Sequence, residues 1–411
     1  MPKKTAPDRM AFPLSGAMAS TSARQRRWWQ DTAWVAVANL SQAAGPFLAL
    51  MLLARWHGLE AAGQFAYALA ITAPLAQLLN FQLKALILTH SPDELPLSLT
   101  ASIRAIVSFP AALLVLGLSI VTTSLVGLWM AARLIDSWAE IFQADLQRTG
   151  QMSRAAYSQA LRAVGLVAAI WLAPSPTLAV LLFIAFSLML LMLFDWRFLP
   201  LYFTLQWSAL GPVLHRGFVL GLVLFLQTTG ASIPRLVLEG NTDIATLGLF
   251  ASLSVLLQVG NLLSSSFGQS LLPQLPSASL ARIALWSTIP LLGAIIAFAV
   301  GQLAQPLFFD LLRIPPTQQA REILLGLGLA QLTVWPAAMI GFALTAKRLY
   351  SQLLWVGASI LIASAATSFW LIPKWGHFGA AMSVATVGAV TLVVSFIILA
   401  TADSKEQDLP Q

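Results

Sequence analysis

The chain has 411 residues, of which 58% are hydrophobic and only 9% are charged, and its formal net charge is +7. A soluble domain carries about a quarter charged residues, so most of this surface must face lipid instead of water. The chain has no Cys and four His, which excludes disulfides and gives no cluster of ligands for a metal or cofactor. The positive charge does not indicate a nucleic-acid partner, because the basic residues stand between apolar runs, as topology signals do.

The N-terminal segment 1–29 is polar and basic and leads directly into a long apolar run. No small-residue cleavage site follows a short apolar core, so we expect no cleaved signal peptide and a first helix that stays in the protein. Trp28 and Trp29 follow Arg26 and Arg27, a combination typical of an anchor at the membrane interface.

Twelve apolar runs are long enough, at about 20 residues each, to cross a membrane as helices. They lie at 33–54, 63–83, 102–122, 125–146, 155–173, 177–199, 213–233, 244–266, 281–304, 323–345, 350–372 and 378–401. The sequence therefore predicts an all-α integral membrane protein with two six-helix lobes around a central cavity.

The distribution of Lys and Arg predicts the orientation of these helices. With the N-terminus in the cytoplasm, most of the 23 Lys and Arg residues fall in cytoplasmic segments and helix ends, as the positive-inside rule requires. Both termini are then cytoplasmic. The expected organisation is a basic cytoplasmic tail at 1–29, a first lobe at 30–200, a cytoplasmic linker at 201–212, a second lobe at 213–401 and a cytoplasmic tail at 402–411.

The two halves carry a short internal likeness. The second run begins with Gly63-Gln64-Phe65-Ala66, and the eighth contains Gly248-Leu249-Phe250-Ala251. Each motif follows an arginine near the end of the preceding run, Arg55 or Arg235. Such repeats are expected in transporters with two lobes around a central site.

The fourth run differs from the others because it carries several ionisable residues. Arg133, Asp136, Glu140 and Gln143 follow one another at intervals of three, four and three, so they form one stripe along a helix. Charges inside a span cost about 2.5–3.5 kcal/mol each and usually face a bundle interior or an aqueous cavity. The stripe is either a polar wall of a substrate cavity or a self-neutralised seam between helices, and the run could also be an interfacial helix.

Arg55 and Arg235 are candidate anion ligands, because a guanidinium binds phosphate in a bidentate geometry. Their alternative role is snorkelling to the membrane interface. Uncharged polar residues on the first two runs of each half either line a cavity or join helices by hydrogen bonds. They are Asn39, Gln42, Gln77, Asn80, Gln227, Gln258 and Asn261.

No catalytic constellation is present in the sequence. Asp136 and Glu140 have no nearby His or metal-binding partner, and no Gly-rich loop with Lys for ATP phosphates occurs. We therefore do not expect an enzyme.

At these residues the sequence resembles the polysaccharide (O-antigen type) flippases of the multidrug/oligosaccharidyl-lipid/polysaccharide exporter superfamily. The resemblance covers about residues 30–400. It is carried by four stretches: Leu52-Leu53-Ala54-Arg55 through Gly63-Gln64-Phe65-Ala66-Tyr67 to Pro74; Asp136 to Arg162; Ile233-Pro234-Arg235 through Leu247-Gly248-Leu249-Phe250 to Pro273; and Leu371-Ile372-Pro373-Lys374-Trp375-Gly376 with Gly379-Ala380-Ala381.

The resemblance implies alternating access in the bacterial inner membrane, with an undecaprenyl-pyrophosphate-linked oligosaccharide as cargo. Membrane lipids, a polysaccharide polymerase and chain-length machinery would be its partners. By motif position it implies that Arg55 and Arg235 hold the pyrophosphate. To these we add Arg133 from its helix stripe, Asn39, Gln42 and Gln227 as cavity residues, and Asp136 and Glu140 as possible sites of proton or ion coupling. The chain is shorter than the lipid II flippase branch, which has two further C-terminal helices.

Two other functions remain open at this point. A multidrug cation antiporter would share the fold but needs an intramembrane carboxylate, and the first run has none between Trp34 and Ala54. A membrane glycosyltransferase or polysaccharide polymerase generally needs a sizeable loop outside the membrane, and no connection here is long enough.

Overall fold

The computed structural model describes residues 33–34, 37–38, 40–42, 44–195, 207–271 and 274–407. Every regular element in these residues is helical. This follows from the lipid environment, because a spanning segment must satisfy its backbone hydrogen bonds internally.

The described residues of the first half form seven helices, of which one is short. The first, α1, is described at 33–34, 37–38, 40–42 and 44–57. The others are α2 (Leu59–Leu79), the short α3 (Leu83–Thr89), α4 (Leu97–Val121), α5 (Ser124–Arg148), α6 (Met152–Leu172) and α7 (Pro176–Leu190). Helix α7 continues into a π-helical turn at Leu191–Asp195.

In the second half, the residues that the structure describes form six helices and a 3₁₀ turn. They are α8 (Trp207–Asn241), α9 (Ile244–Leu271), the 3₁₀ turn Leu275–Ser277, α10 (Leu280–Leu303), the short α11 (Gln305–Leu312), α12 (Gln318–Ala346) and α13 (Tyr350–Gln407). Helix α13 has 58 residues and is broken at Gly376, where φ is 52° and ψ is −128°. Because only glycine adopts this conformation readily, Gly376 lets α13 form two spans.

The predicted fold class is confirmed. Nine described helices are long and apolar enough to cross a membrane by length and composition alone. Helix α13 holds two of the predicted spans, and α1 and α5 account for the others. The short helices α3 and α11 are absent from the sequence prediction. Residues 207–212, which we expected in a linker, are helical, and α13 continues through Gln407 into the expected tail.

Helix α5 is part of the bundle and not an interfacial helix. It packs against α2, α4, α6 and α7, and it is buried from Leu125 near its start to Gln147 near its end. Its charged residues are therefore held inside protein and not at the lipid surface.

The bundle has two ends with different packing. The inner end of the bundle carries the start of α8 and the α12–α13 connection, and the outer end is opposite. The Lys and Arg distribution predicts that the inner end faces the cytoplasm. Among the described residues, one apolar core at the outer end joins both halves, from Leu50 and Phe65 to Phe250 and Ile323. At the inner end the apolar residues form two separate cores, and the first of them includes Leu210 of α8 beside residues of the first half. The two halves therefore share one apolar core at the outer end, whereas at the inner end they meet through α2 and α8, where a Cβ atom on Gly217 would lie 2.5 Å from the carbonyl oxygen of Phe81.

Candidate substrate cavity

A cavity of about 1070 Å³ lies between the two halves. Its walls come from α1, α2, α5, α8, α9, α12 and α13, with Ala85 of α3 at its inner margin. On α8 the lining extends from Val219 to Arg235, and on α12 from Leu327 to Thr345, so the cavity reaches from the middle of the bundle toward the inner end. The lining includes no residue from the α1–α2 turn or the α8–α9 turn.

The lining is mostly apolar and carries a set of amide and hydroxyl groups. This mixture is typical of ligand sites, where a few polar groups orient the ligand. The polar uncharged members are Gln42, Gln77, Gln82, Gln227, Thr228, Ser232, Ser254, Gln258, Asn261, Thr345, Thr391 and Ser395. Two arginines, Arg133 and Arg235, are the charged members, and no carboxylate belongs to the described lining.

Arg235 is the cation on the second half of the cavity. It lies on α8 and is half-buried. Its Nη2 lies 3.4 Å from the hydroxyl oxygen of Ser254 on α9, and within the described part of the chain it forms no ion pair. Because a charge inside a membrane protein is costly unless it is compensated, this guanidinium can readily bind an anionic ligand.

Arg133 is the cation on the first half of the cavity, and its surroundings differ. Its guanidinium lies 3.5 Å from the carboxylate of Asp136, one turn along α5, and 22% of its side chain is exposed. Asp136 in turn lies 3.3 Å from Arg162 on α6. Arg133 therefore faces the cavity with part of its charge already compensated.

Behind this wall lies a buried ion-pair network. Arg162 lies 2.7 Å from Asp195, whose side chain has no exposed surface. The hydroxyl of Ser158 donates a second hydrogen bond to Asp195 at 2.9 Å. Asp195 ends the π-helical turn after α7, and π-helical turns are frequent at functional sites. The network thus ties α5, α6 and the end of α7 together.

Glu140 is held by amide groups from two other helices. The side-chain amide of Gln42 on α1 donates to one oxygen at 2.7 Å, and that of Asn80 donates to the other at 3.2 Å. Arg104 on α4, which is 2% exposed, donates to the carbonyls of Leu79 and Asn80 at 3.1 Å each. A cation at the C-terminus of α2 is favourable because the helix dipole is negative there.

A smaller pocket of about 40 Å³ opens beside the main cavity in the first half. Asp136 and Glu140 both line it, together with Arg162 and Gln159. A water needs roughly 10–15 Å³ of such space, so the pocket has room for a few water molecules. Its wall shares Gln42, Pro46, Trp129 and Arg133 with the main cavity.

The structure brings together four of the six residues that we predicted to bind substrate. Gln42, Arg133, Gln227 and Arg235 all line the cavity. Arg55 does not: it lies at the outer end of α1 and donates to the backbone carbonyl of Leu311. Asn39 lies outside the described residues.

The polar stripe of α5 combines its two proposed roles. Arg133 reaches the cavity, whereas Gln143 donates to Ser158 at 3.0 Å and seals α5 to α6. Arg162 and Asp195 were not among the predicted site residues. Both lie in apolar runs, and an ionisable residue inside such a run is expected to face the protein interior. No group of His, Cys, Asp or Glu in the described residues could hold a metal ion.

Comparison with known proteins shows what this fold resembles. No family model matches the chain. Over 386 residues the chain is 23% identical to the capsular polysaccharide biosynthesis protein CapF of Staphylococcus aureus, which covers 88% of this chain and 96% of that protein.

Solved structures with the same fold include a lipid flippase and a multidrug transporter. The lipid II flippase MurJ in its inward closed conformation gives a TM-score of 0.70 at 11% identity, covering 91% of this chain and 93% of that one. The inward-facing conformation of a multidrug resistance MATE family transporter gives 0.68 at 12% identity, covering 92% and 100%. The chain is therefore a multi-pass membrane protein with the same fold as these two proteins, which is the fold that the sequence resemblance predicted.

Proposed function

We propose that this protein moves an anionic, lipid-linked oligosaccharide from the inner to the outer leaflet of a bacterial cytoplasmic membrane by alternating access. The observation that carries the proposal is Arg235: a guanidinium in a large cavity, with a single hydroxyl contact and no described carboxylate partner. A pyrophosphate would supply the missing negative charge through charge-assisted hydrogen bonds.

The remainder of the lining supports a carbohydrate head group. A sugar cannot enter hydrocarbon without losing its hydrogen bonds to water. The amide side chains of Gln42, Gln77, Gln227 and Gln258 line the cavity from both halves, and amide groups can both donate hydrogen bonds to sugar hydroxyls and accept them. The cavity would shelter the head group while the lipid tail stays in the bilayer.

The membrane potential favours this direction of movement. The cytoplasm is normally negative, so outward movement of an anion is favourable by about 2.3 kcal/mol per charge per 100 mV. We propose that this potential, together with consumption of the cargo outside, drives flipping. A polymerase and chain-length machinery are the proposed consumers, and both termini of the chain are proposed to be cytoplasmic.

A second candidate, a multidrug cation antiporter, is favoured only by the fold that the chain shares with MATE transporters. The cavity argues against it, because two arginines and no carboxylate face the described interior. A cationic drug would meet two arginines in this lining, and the nearest described carboxylates, Asp136 and Glu140, lie in the small pocket beside it.

The test is an accumulation assay in the host. Deletion of the gene should cause undecaprenyl-linked glycans to accumulate on the cytoplasmic leaflet, and the wild-type gene should reverse this. Arg235→Ala should fail to restore flipping, whereas Arg216→Ala, which changes an exposed arginine near the start of the same helix, should restore it. Unchanged glycans with altered sensitivity to cationic dyes would instead indicate the antiporter.

We also propose that Asp136 and Glu140 couple flipping to protons or another cation. Both carboxylates line the small pocket beside the cavity, which would let water bring protons to them. The measurement that tests this is the pH dependence of flipping after both are replaced by amides.

A further inference from the structure

The two motifs of the internal repeat meet each other at the outer end of the bundle. Helices α2 and α9 cross there with Gly63 against Gly248. A Cβ atom on Gly63 would lie 1.9 Å from the carbonyl oxygen of Ile244, and one on Gly248 would lie 1.8 Å from that of Leu59. Each glycine thus packs against the residue one turn before the other glycine.

This reciprocity shows that the two glycines occupy equivalent positions in the two halves. A Cβ on either one would also lie within about 3 Å of the other's backbone nitrogen, at 3.1 Å from Gly248 and 2.8 Å from Gly63. The obstacle in each case is backbone, which cannot rotate away as a side chain can. Contact of this closeness requires small residues, as at other helix crossings in membranes.

Arg55 makes a second link between the halves at the same end. Its guanidinium, at the end of α1, donates to the carbonyl of Leu311 near the C-terminus of α11. A cation is favourable at that position because the last carbonyls of a helix carry partial negative charge. Arg55 therefore has a protein ligand in this state and lies outside the cavity lining.

We infer that the Gly63–Gly248 crossing and the Arg55–Leu311 contact form the outer gate of the transporter, with Arg55 acting as a latch and not as a pyrophosphate ligand. The apolar core that both halves share at the outer end describes the same closure, and so does the cavity lining, which includes no residue of the α1–α2 turn or the α8–α9 turn. Opening toward the outside requires α2 to leave α9. This inference rests on the alternating-access part of the proposed function and not on the identity of the cargo.

The absence of native Cys makes the gate directly measurable. Thr228 lines the cavity on α8 and is half-buried, so Thr228→Cys provides a single reporter. In membrane vesicles of each orientation, without cargo, its labelling rate by a membrane-impermeant maleimide reports access from the inner or the outer side. In the otherwise unchanged protein we expect labelling mainly from the inner side.

Gly63→Ala and Gly248→Ala should each raise outer labelling by at least about fivefold, because overpacking of the crossing destabilises the closed state. The matched control is Gly240→Ala on α8, where a Cβ would meet no atom within 4 Å. Arg55→Ala should also raise outer labelling, and Arg321→Ala, another exposed arginine of the outer segments, should not.

Unchanged outer labelling in folded glycine variants would overturn the inference. If neither glycine variant folds, as judged by monodisperse elution in detergent, Arg55→Ala becomes the test. An unchanged outer labelling rate in Arg55→Ala would then overturn the inference. The labelling assay contains no cargo, so it tests the gate separately from the cargo. If labelling changes as expected but deletion of the gene does not change the glycans, the proposed cargo is refuted and the gate is supported.

Discussion

The charged residues on the two walls of the cavity differ in whether they have partners of opposite charge. In the first half, three arginines and three carboxylates lie close together: Arg104, Arg133 and Arg162 with Asp136, Glu140 and Asp195. In the second half, Arg235 faces the cavity with Ser254 as its described partner. The first wall compensates its own charges, and the second leaves one for a ligand.

The difference separates structural charge from charge available for binding. Buried ion pairs contribute little net stability, but removing one partner leaves an uncompensated charge and is strongly destabilising. Substitutions that break the buried pair of Arg162 and Asp195 should therefore act mainly on folding, and those at Arg235 mainly on transport. The three predictions that follow test this division.

The largest effect is expected from Arg162→Leu. It leaves Asp195, which has no exposed side-chain surface, without its cation, so the free energy of unfolding should fall by about 3–5 kcal/mol. Thermal unfolding in detergent measures this, with Arg216→Leu as an exposed control. Adding Asp195→Leu should recover much of the loss, because apolar replacement of a whole pair is often neutral. A stable single variant would contradict the structural role of the network.

A smaller effect, on transport and not on stability, is expected from substitution of the two cavity arginines. Arg235→Gln should slow outward movement of lipid-linked glycan by roughly ten- to a hundredfold, the equivalent of about 1.5–3 kcal/mol for hydrogen bonds to a charged group, with little change in stability. Arg133→Gln should slow it less, because Asp136 already compensates part of that charge. Glycan flipping in a complemented deletion strain measures both, and equal losses would show that the two walls bind cargo alike.

The smallest expected effect is on the shape of the pH profile. If the first wall also carries the coupling proton, Asp136→Asn combined with Glu140→Gln should flatten the pH dependence of flipping while part of its rate remains. The matched control is Asp93→Asn with Glu94→Gln, an exposed pair between α3 and α4. Flipping rates measured at several pH values in the same strain decide this, and an unchanged profile in the cavity variant would exclude these two carboxylates from coupling.

The local patterns of the sequence were sufficient to predict the helices and part of the cavity lining. Each predicted span corresponds to a helix because a run of about 20 apolar residues has few other solutions in lipid. Gln42, Arg133, Gln227 and Arg235 line the cavity, as expected of polar groups inside spans, which avoid lipid. Arg55 satisfied the same motif argument as Arg235 but lies at a helix end, where the protein itself binds it.

By itself, therefore, the sequence determined that this is a membrane protein with about twelve helices in two related halves, since hydropathy and charge act locally along the chain. Only the tertiary structure decided which charges compensate one another and which end of the cavity is closed. Arg162 and Asp195 are far apart in sequence and meet at 2.7 Å, and Gly63 meets Gly248 across the two halves. Such contacts depend on how helices pack, and no local pattern of residues specifies that packing.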